Sequence, residues 1–144
     1  MGMSRFHQLT DAQLLAVCLY GEARGESDCG KIAVASTIKE RVKQGGWYGL
    51  GYKGVILKPY QFSCFNCSDP NFTKLFEIAG DFSRSVDKSA TLRRCYEIAR
   101  GIIEGSIQQT LRSTHYKTHC CKASWADKMK KIATVDSHSF YMEG

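Results

Sequence analysis

Thr10-Asp11-Ala12-Gln13-Leu14-Leu15-Ala16-Val17-Cys18-Leu19-Tyr20-Gly21-Glu22-Ala23-Arg24-Gly25-Glu26 reads as one helix with a carboxylate where an apolar residue would ordinarily stand. Thr10 suits an N-cap, because its hydroxyl can accept from a backbone N–H that the helix leaves free. Asp11 falls in the first turn, where the positive end of the helix dipole favours it. Leu14, Leu15, Cys18 and Leu19 form an apolar stripe. Glu22 follows Cys18 by four residues and Leu15 by seven, so it continues that stripe at the edge of the core. Gly25 is a natural terminator, which puts Glu22 in the last turn. Desolvation, a helix C-terminus and a neighbouring carboxylate such as Glu26 all favour the protonated form of a carboxyl, the form that a general acid needs. The same spacing also fits a solvated Glu paired with Arg24 or Lys31.

Working outward, a second helix is expected from about Gly30 to Gln44, with Val34, Ala35, Ile38 and Val42 on one face and Gly45-Gly46 as its stop. Asp69-Pro70 has the pattern of an N-cap followed by Pro at the first helical position, ahead of Phe72, Leu75, Phe76 and Ala79. The clearest period belongs to Leu92, Cys95, Tyr96, Ala99, Ile102 and Ile103, which ends at Gly105. Gly45 to Tyr52 reads as a loop. The segment after Ser113 holds three of the four histidines and Trp125, with a short strand or two. The expected class is α+β, mainly helical, with residues 1–144 forming one domain.

Composition narrows the function. Hydrophobic residues make up 43% and charged residues 24% of the chain, which is ordinary globular usage. A net charge of +6 suits an anionic partner: nucleic acid, acidic lipid or a wall polymer. The aromatics are spread through the chain instead of interleaving with a basic patch, so neither they nor the charge choose between these partners. Met1 to Gln8 contains no apolar h-region, and no apolar run approaches the roughly 18 residues of a transmembrane helix. The expectation is a soluble monomer without stable membrane insertion, made in a cytoplasm and reaching any extracellular substrate by another route. Seven cysteines, an odd number, argue against a complete disulfide framework. Cys64-Phe65-Asn66-Cys67 has the gap of a zinc knuckle, and His119-Cys120-Cys121 could add ligands. A zinc site of this type needs a second well-spaced pair, however, so buried thiols are expected and no metal or cofactor.

The blocks Tyr20-Gly21-Glu22-Ala23-Arg24-Gly25-Glu26, Gly30-Lys31-Ile32-Ala33-Val34-Ala35 and Arg41-Val42 resemble the opening of the cell-wall hydrolase family that includes the spore cortex-lytic enzymes. The likeness continues through Gly54-Val55-Ile56, Gln61-Phe62-Ser63, Thr114-His115-Tyr116, Ser124-Trp125-Ala126 and His138-Ser139-Phe140-Tyr141. The blocks keep the family's order over about residues 12 to 141, and the ordered series is specific where each block alone is weak. The resemblance implies a lysozyme-like catalytic domain, mainly helical with a small β-sheet. It also implies cleavage of the β-1,4 bond between N-acetylmuramic acid and N-acetylglucosamine in peptidoglycan, with Glu22 as the catalytic acid/base. With this resemblance, no nucleic-acid partner is expected.

No second carboxylate is obvious as a nucleophile or water activator, although Glu26 is available. One acid/base suffices if the muramic C6 hydroxyl closes onto C1, which is lytic transglycosylation. A hydrolytic muramidase and a non-catalytic peptidoglycan-binding module are the alternatives. Inverting hydrolysis would place a second base about 6.5–9.5 Å from the first. Gln61 and Ser63 can hydrogen-bond sugar substituents, and Phe62, Tyr116 and Trp125 offer faces to pyranose rings, with core packing an equal reading for Phe62. Thr114 and His115 stand beside these groove residues, His138 orients substrate or is structural, and Tyr20 borders the site. The chain departs from the family in a longer segment from Phe65 to Asp87 and in His119-Cys120-Cys121. A chain without export signal or wall-binding module fits a phage-type endolysin that acts in the wall after release.

Overall fold

The computed structural model describes residues 2–59, 61–119 and 121–143. Among these, helices α1 (Gly2–His7), α2 (Asp11–Ala23), α3 (Asp28–Gln44), α4 (Gly51–Ile56), α5 (Phe72–Gly80), α6 (Phe82–Lys88) and α7 (Ala90–Glu104) precede strands β1 (His115–Thr118), β2 (Lys130–Val135) and β3 (His138–Met142). The mainly helical α+β class with a small sheet is what the sequence led us to expect. No helix among the described residues is long and apolar enough to cross a membrane.

Helix α2 is the centre of the fold. Leu14, Leu15, Ala16, Val17, Cys18 and Leu19 are all fully buried, so its middle is enclosed on every side rather than along one stripe. Helix α7 packs along it, with α3, α4 and α5 around the remainder. Its start is a full capping box: Thr10 Oγ1 accepts from the Gln13 N–H at 3.1 Å, and Gln13 Oε1 accepts from the Thr10 N–H at 3.0 Å. Ser27 and Ser89 cap α3 and α7 more simply, each side chain accepting from the backbone N–H three residues on, without the reciprocal bond. Gly105, at φ 90°, ends α7 in the left-handed conformation that glycine adopts without strain.

Three local expectations need correction. Helix α5 starts after Asn71, not at Pro70: Asp69 Oδ1 accepts from the Asn71 N–H at 2.8 Å and forms a turn that delays the helix. Gly45 to Tyr52 is not wholly loop, since a 3-10 turn covers Gly46–Tyr48 and α4 begins at Gly51. Helix α6 lay in a stretch with no apolar period, and Asp81, whose side chain accepts from the Arg84 N–H, starts it.

The sheet is antiparallel in the order β1-β3-β2. Tyr116 pairs with Phe140 and Thr118 with His138, so Tyr116, His138 and Phe140 share one face. Phe140 is fully buried, which identifies that face as the one turned to the helices. The Asp136-Ser137 turn between β2 and β3 is tied to the junction of α2 and α3. Asp136 Oδ2 accepts from the Ser27 N–H and hydroxyl at 2.8 and 2.6 Å, while Glu26 Oε1 accepts from the Ser137 N–H and hydroxyl at 3.2 and 2.6 Å. These contacts hold the sheet against the C-terminal end of α2.

Candidate active site

The last turn of α2 and strand β1 meet at Glu22. Its side chain is half-buried, and Oε1 accepts from the Tyr116 hydroxyl at 2.6 Å. Burial pushes the Tyr116 hydroxyl well above its ordinary pKa, and the charge of Glu22 adds to this, so the phenol remains a donor at neutral pH. Neither Arg24 nor Lys31 pairs with Glu22. Arg24 donates to the Tyr20 carbonyl and to Asn71 Oδ1, and Lys31 donates to the Glu26 carbonyl.

Gly21 lets the wall of the site close in. A Cβ there would lie 2.8 Å from Cys64 Sγ and 2.9 Å from Leu75 Cδ1. Cys64 is buried beside Glu22, and desolvation, then the charges of Cys18 and Glu22, pushes its thiol up. Cys67 is exposed, so the two cysteines of the knuckle-like motif face different surroundings. Cys121 is exposed as well, and Cys120 lies outside the described residues. His119 is bonded to Ser139 Oγ and the Asp136 carbonyl. No group of three potential metal ligands gathers among the described residues.

Arg41 is the organising residue that sequence reasoning missed. The residue is 6% exposed; Nε donates to the Thr114 carbonyl at 2.6 Å and Nη1 to Gln61 Oε1 at 3.2 Å. Its carbon stands 5.6 Å from the Tyr48 ring and 5.4 Å from the Phe62 ring. Burial pulls its pKa down, opposed by the charges of Tyr116, Tyr48, Cys18 and Glu22, so a guanidinium is fixed within electrostatic reach of Glu22. The signal was present in the sequence. Arg41 follows Ile38 by three residues and Val34 by seven, the same kind of intrusion into an apolar stripe that singles out Glu22.

The other expected residues divide. Gln61 and Thr114 are brought together by Arg41. Thr114 is 3% exposed, with Oγ1 3.0 Å from His115 Nδ1, so it supports the site from within. The half-buried His115 ring lies 5.0 Å from Trp125 and 6.2 Å from Tyr48. Burial and then Arg41 lower its pKa and favour the neutral ring, with Glu143 opposing them. Trp125 is half-buried and packs edge-on to Tyr141 at 5.2 Å. Ser63 is exposed at the start of a 3-10 turn. Phe62, by contrast, is 3% exposed and belongs to the core beneath Arg41, where it presents no face to a sugar.

Two polar candidates, Glu26 as the available second carboxylate beside the substrate and His138 as either a substrate-orienting or a structural histidine, are both engaged by the fold. His138 is 4% exposed, and its Nδ1 lies 2.9 Å from Glu26 Oε1, an ion-pair distance without hydrogen-bond alignment. Glu26 itself holds the β2–β3 turn. Burial pushes its carboxyl up, but the Ser137 hydrogen bonds and His138 outweigh that and hold it below the usual value. Three concavities of similar size lie apart from Glu22. One of about 500 Å³ is lined by Tyr20, Lys74, Asp81 and Arg84, one of about 560 Å³ by Lys117, His119, Lys122 and Tyr141, and one of about 500 Å³ by His7, Leu57, Phe65 and Cys67. Tyr20 therefore borders the first of these, and Glu22 lines none of the three.

The sequence pattern described as Cell Wall Hydrolase matches residues 25–141, a span that begins just after Glu22. Among solved structures, the chain is similar to the catalytic domain of the germination-specific lytic transglycosylase SleB from Bacillus anthracis, at TM-score 0.66 and 23% identity over 91% of this chain and 93% of that one. It is also similar to the catalytic domain of the SleB protein of Bacillus cereus, at TM-score 0.59 and 21% identity over 91% and 88% of the two chains. At these identities the structural likeness is one of fold. No curated protein matches the chain.

Proposed function

The chain belongs to the cell wall hydrolase family, and from that membership we propose a peptidoglycan glycosidase that cleaves the β-1,4 bond between N-acetylmuramic acid and N-acetylglucosamine by lytic transglycosylation. The reading rests on one observation: a half-buried Glu22 held by Tyr116, while the motif's other carboxylate, Glu26, is occupied by the β2–β3 turn. Tyr116 donates to Oε1 and the buried Cys64 thiol lies in hydrogen-bonding contact with the same carboxyl, which carries the proton to be transferred. Glu22 gives that proton to the leaving glycosidic oxygen as the C1–O bond breaks. The muramic C6 hydroxyl then bonds to C1 and returns its proton to Glu22, leaving a 1,6-anhydro end and consuming no water. Gln61, Ser63, His115 and Trp125 contact the strand, with Arg41 positioning Gln61 and Thr114 positioning His115.

We further propose that the protein acts as a monomer. Among the described residues the large exposed hydrophobics are Trp47 and Leu50, too little apolar surface for a stable dimer. A net charge of +6 suits an anionic envelope, and action in the wall after release, as by a phage endolysin, completes the proposal.

Glu22→Gln is the test. The variant is expected to lose all turbidity clearing of a peptidoglycan suspension while still sedimenting with it. Clearing at the parent's rate refutes the catalytic assignment. Mass spectrometry of the digest should find muramic ends one water lighter than hydrolysis products, and reducing muramic ends would establish a hydrolytic muramidase instead.

A further inference from the structure

Trp47 and Leu50 are 67% and 91% exposed, on a loop in which Gly45, Gly46, Gly49 and Gly51 have φ values of 61°, 56°, 119° and 69°. Side chains other than glycine's are strained in that region, so the loop's shape depends on these four residues. Gly49 is doubly constrained, because a Cβ there would meet the Gly54 carbonyl oxygen at 2.6 Å. The outcome is that two neighbouring aromatics turn opposite ways. Tyr48 is 8% exposed, in the core, and Trp47 is in water. The Lys58 ammonium stands 3.6 Å from the Trp47 ring centroid and donates to the Trp47 carbonyl. One face of the indole is thus covered and its orientation held, which leaves the opposite face open.

The rings continue inward from Trp47. Its centroid is 5.6 Å from that of Tyr48, Tyr48 is 6.2 Å from His115, and His115 is 5.0 Å from Trp125. His115 immediately precedes Tyr116, which holds Glu22, and Arg41 stands over the Tyr48 ring within electrostatic reach of the same carboxyl. The exposed indole is therefore the outer end of a run of ring contacts that reaches His115 and Trp125, two of the residues proposed above to contact the strand.

We propose that Trp47 is a sugar-stacking subsite, taking the apolar face of a pyranose ring of the glycan strand on its open side, beyond the bond that Glu22 cleaves. This deepens, and rests on, the glycosidase reading above. The C–H-lined face of a pyranose matches an indole, which contributes a large apolar area with little side-chain entropy to lose. A glycan is favoured over a bilayer because the ring run connects Trp47 to His115 and Trp125, the residues proposed to contact the strand, a continuity that a membrane contact does not require.

The experiment measures binding of peptide-free peptidoglycan glycan strands by calorimetry, in the Glu22→Gln background so that the strands survive. Adding Trp47→Ala is expected to raise Kd about tenfold, and Trp47→Phe to restore most of the loss. As Trp47 is exposed, thermal melting should be the same for all three proteins. An unchanged Kd for Trp47→Ala overturns the subsite. So does a Trp47→Ala protein that keeps its strand affinity while losing affinity for phosphatidylglycerol vesicles, since the indole is then a membrane contact. Should Trp47→Ala weaken binding while Glu22→Gln still clears walls, the subsite stands and the catalytic assignment falls. The reverse pair of results separates them the other way.

Discussion

Replacing Tyr116 with Phe removes one oxygen and leaves the ring between His138 and Phe140, whose centroids lie 5.1 and 5.7 Å from it. The lost contact is the 2.6 Å hydrogen bond to Glu22 Oε1. As Glu22 gives up its proton, negative charge develops on the carboxyl, and a donor already aimed at it gains strength in the transition state. A hydrogen bond to a charged group contributes about 1.5–3 kcal/mol, which corresponds to a roughly 10- to 150-fold fall in kcat. Initial rates of turbidity loss at several wall concentrations separate kcat from KM, and kcat should carry the larger change. Because burial, reinforced by Glu22, keeps the phenol protonated, the loss should be the same throughout the neutral range. A natively folded Tyr116→Phe protein with kcat within about twofold of the parent would refute the reasoning, since the hydrogen bond would then do nothing for the acid.

Two further predictions concern what holds the site together. Gly21→Ala drives a methyl against Cys64 and Leu75, which are 1% and 0% exposed and cannot move aside. It should cost about 1–3 kcal/mol in urea unfolding and reduce activity, and an unchanged midpoint would show that the wall beside Glu22 is looser than its packing indicates. Glu26→Gln tests the clamp through pH. The folded carboxyl is held below its ordinary value of 4.5 by Ser137 and His138, against the opposing effect of burial. A depressed carboxylate contributes stability that is present above 4.5 and is lost as pH falls through the folded value. The parent's urea midpoint should therefore drop on acidification below about 4.5, and Glu26→Gln should be less stable at neutral pH with a shallower acid decline. An equally steep decline in the variant would assign the acid sensitivity to other groups.

Much of the scaffold was legible because local rules govern it. Thr10 and Gln13 form their capping box whatever surrounds them, and Gly105 ends α7 because its φ of 90° suits glycine. Helix α4 was not legible, since its six residues, Gly51–Ile56, hold two glycines and are stabilised by packing on α2 and α3 rather than by propensity. At the site, Glu22 was found as a polar intrusion into an apolar stripe, and Arg41 would have been found by the same test. Phe62 could not be assigned between core and groove, because hydrophobicity suits both and only the position of Arg41 over its ring decides.

Periodicity and capping in the chain alone determined the helices that matter and put one carboxylate on the buried side of α2, because both depend on residues within a turn or two of each other. The partners of that carboxylate required the fold. Tyr116 is 94 residues from Glu22, and Ser137 is 111 from Glu26. Which of two nearby acids receives the Tyr116 hydroxyl, and which holds a strand turn, is settled by contacts between distant segments, and no local pattern encodes them.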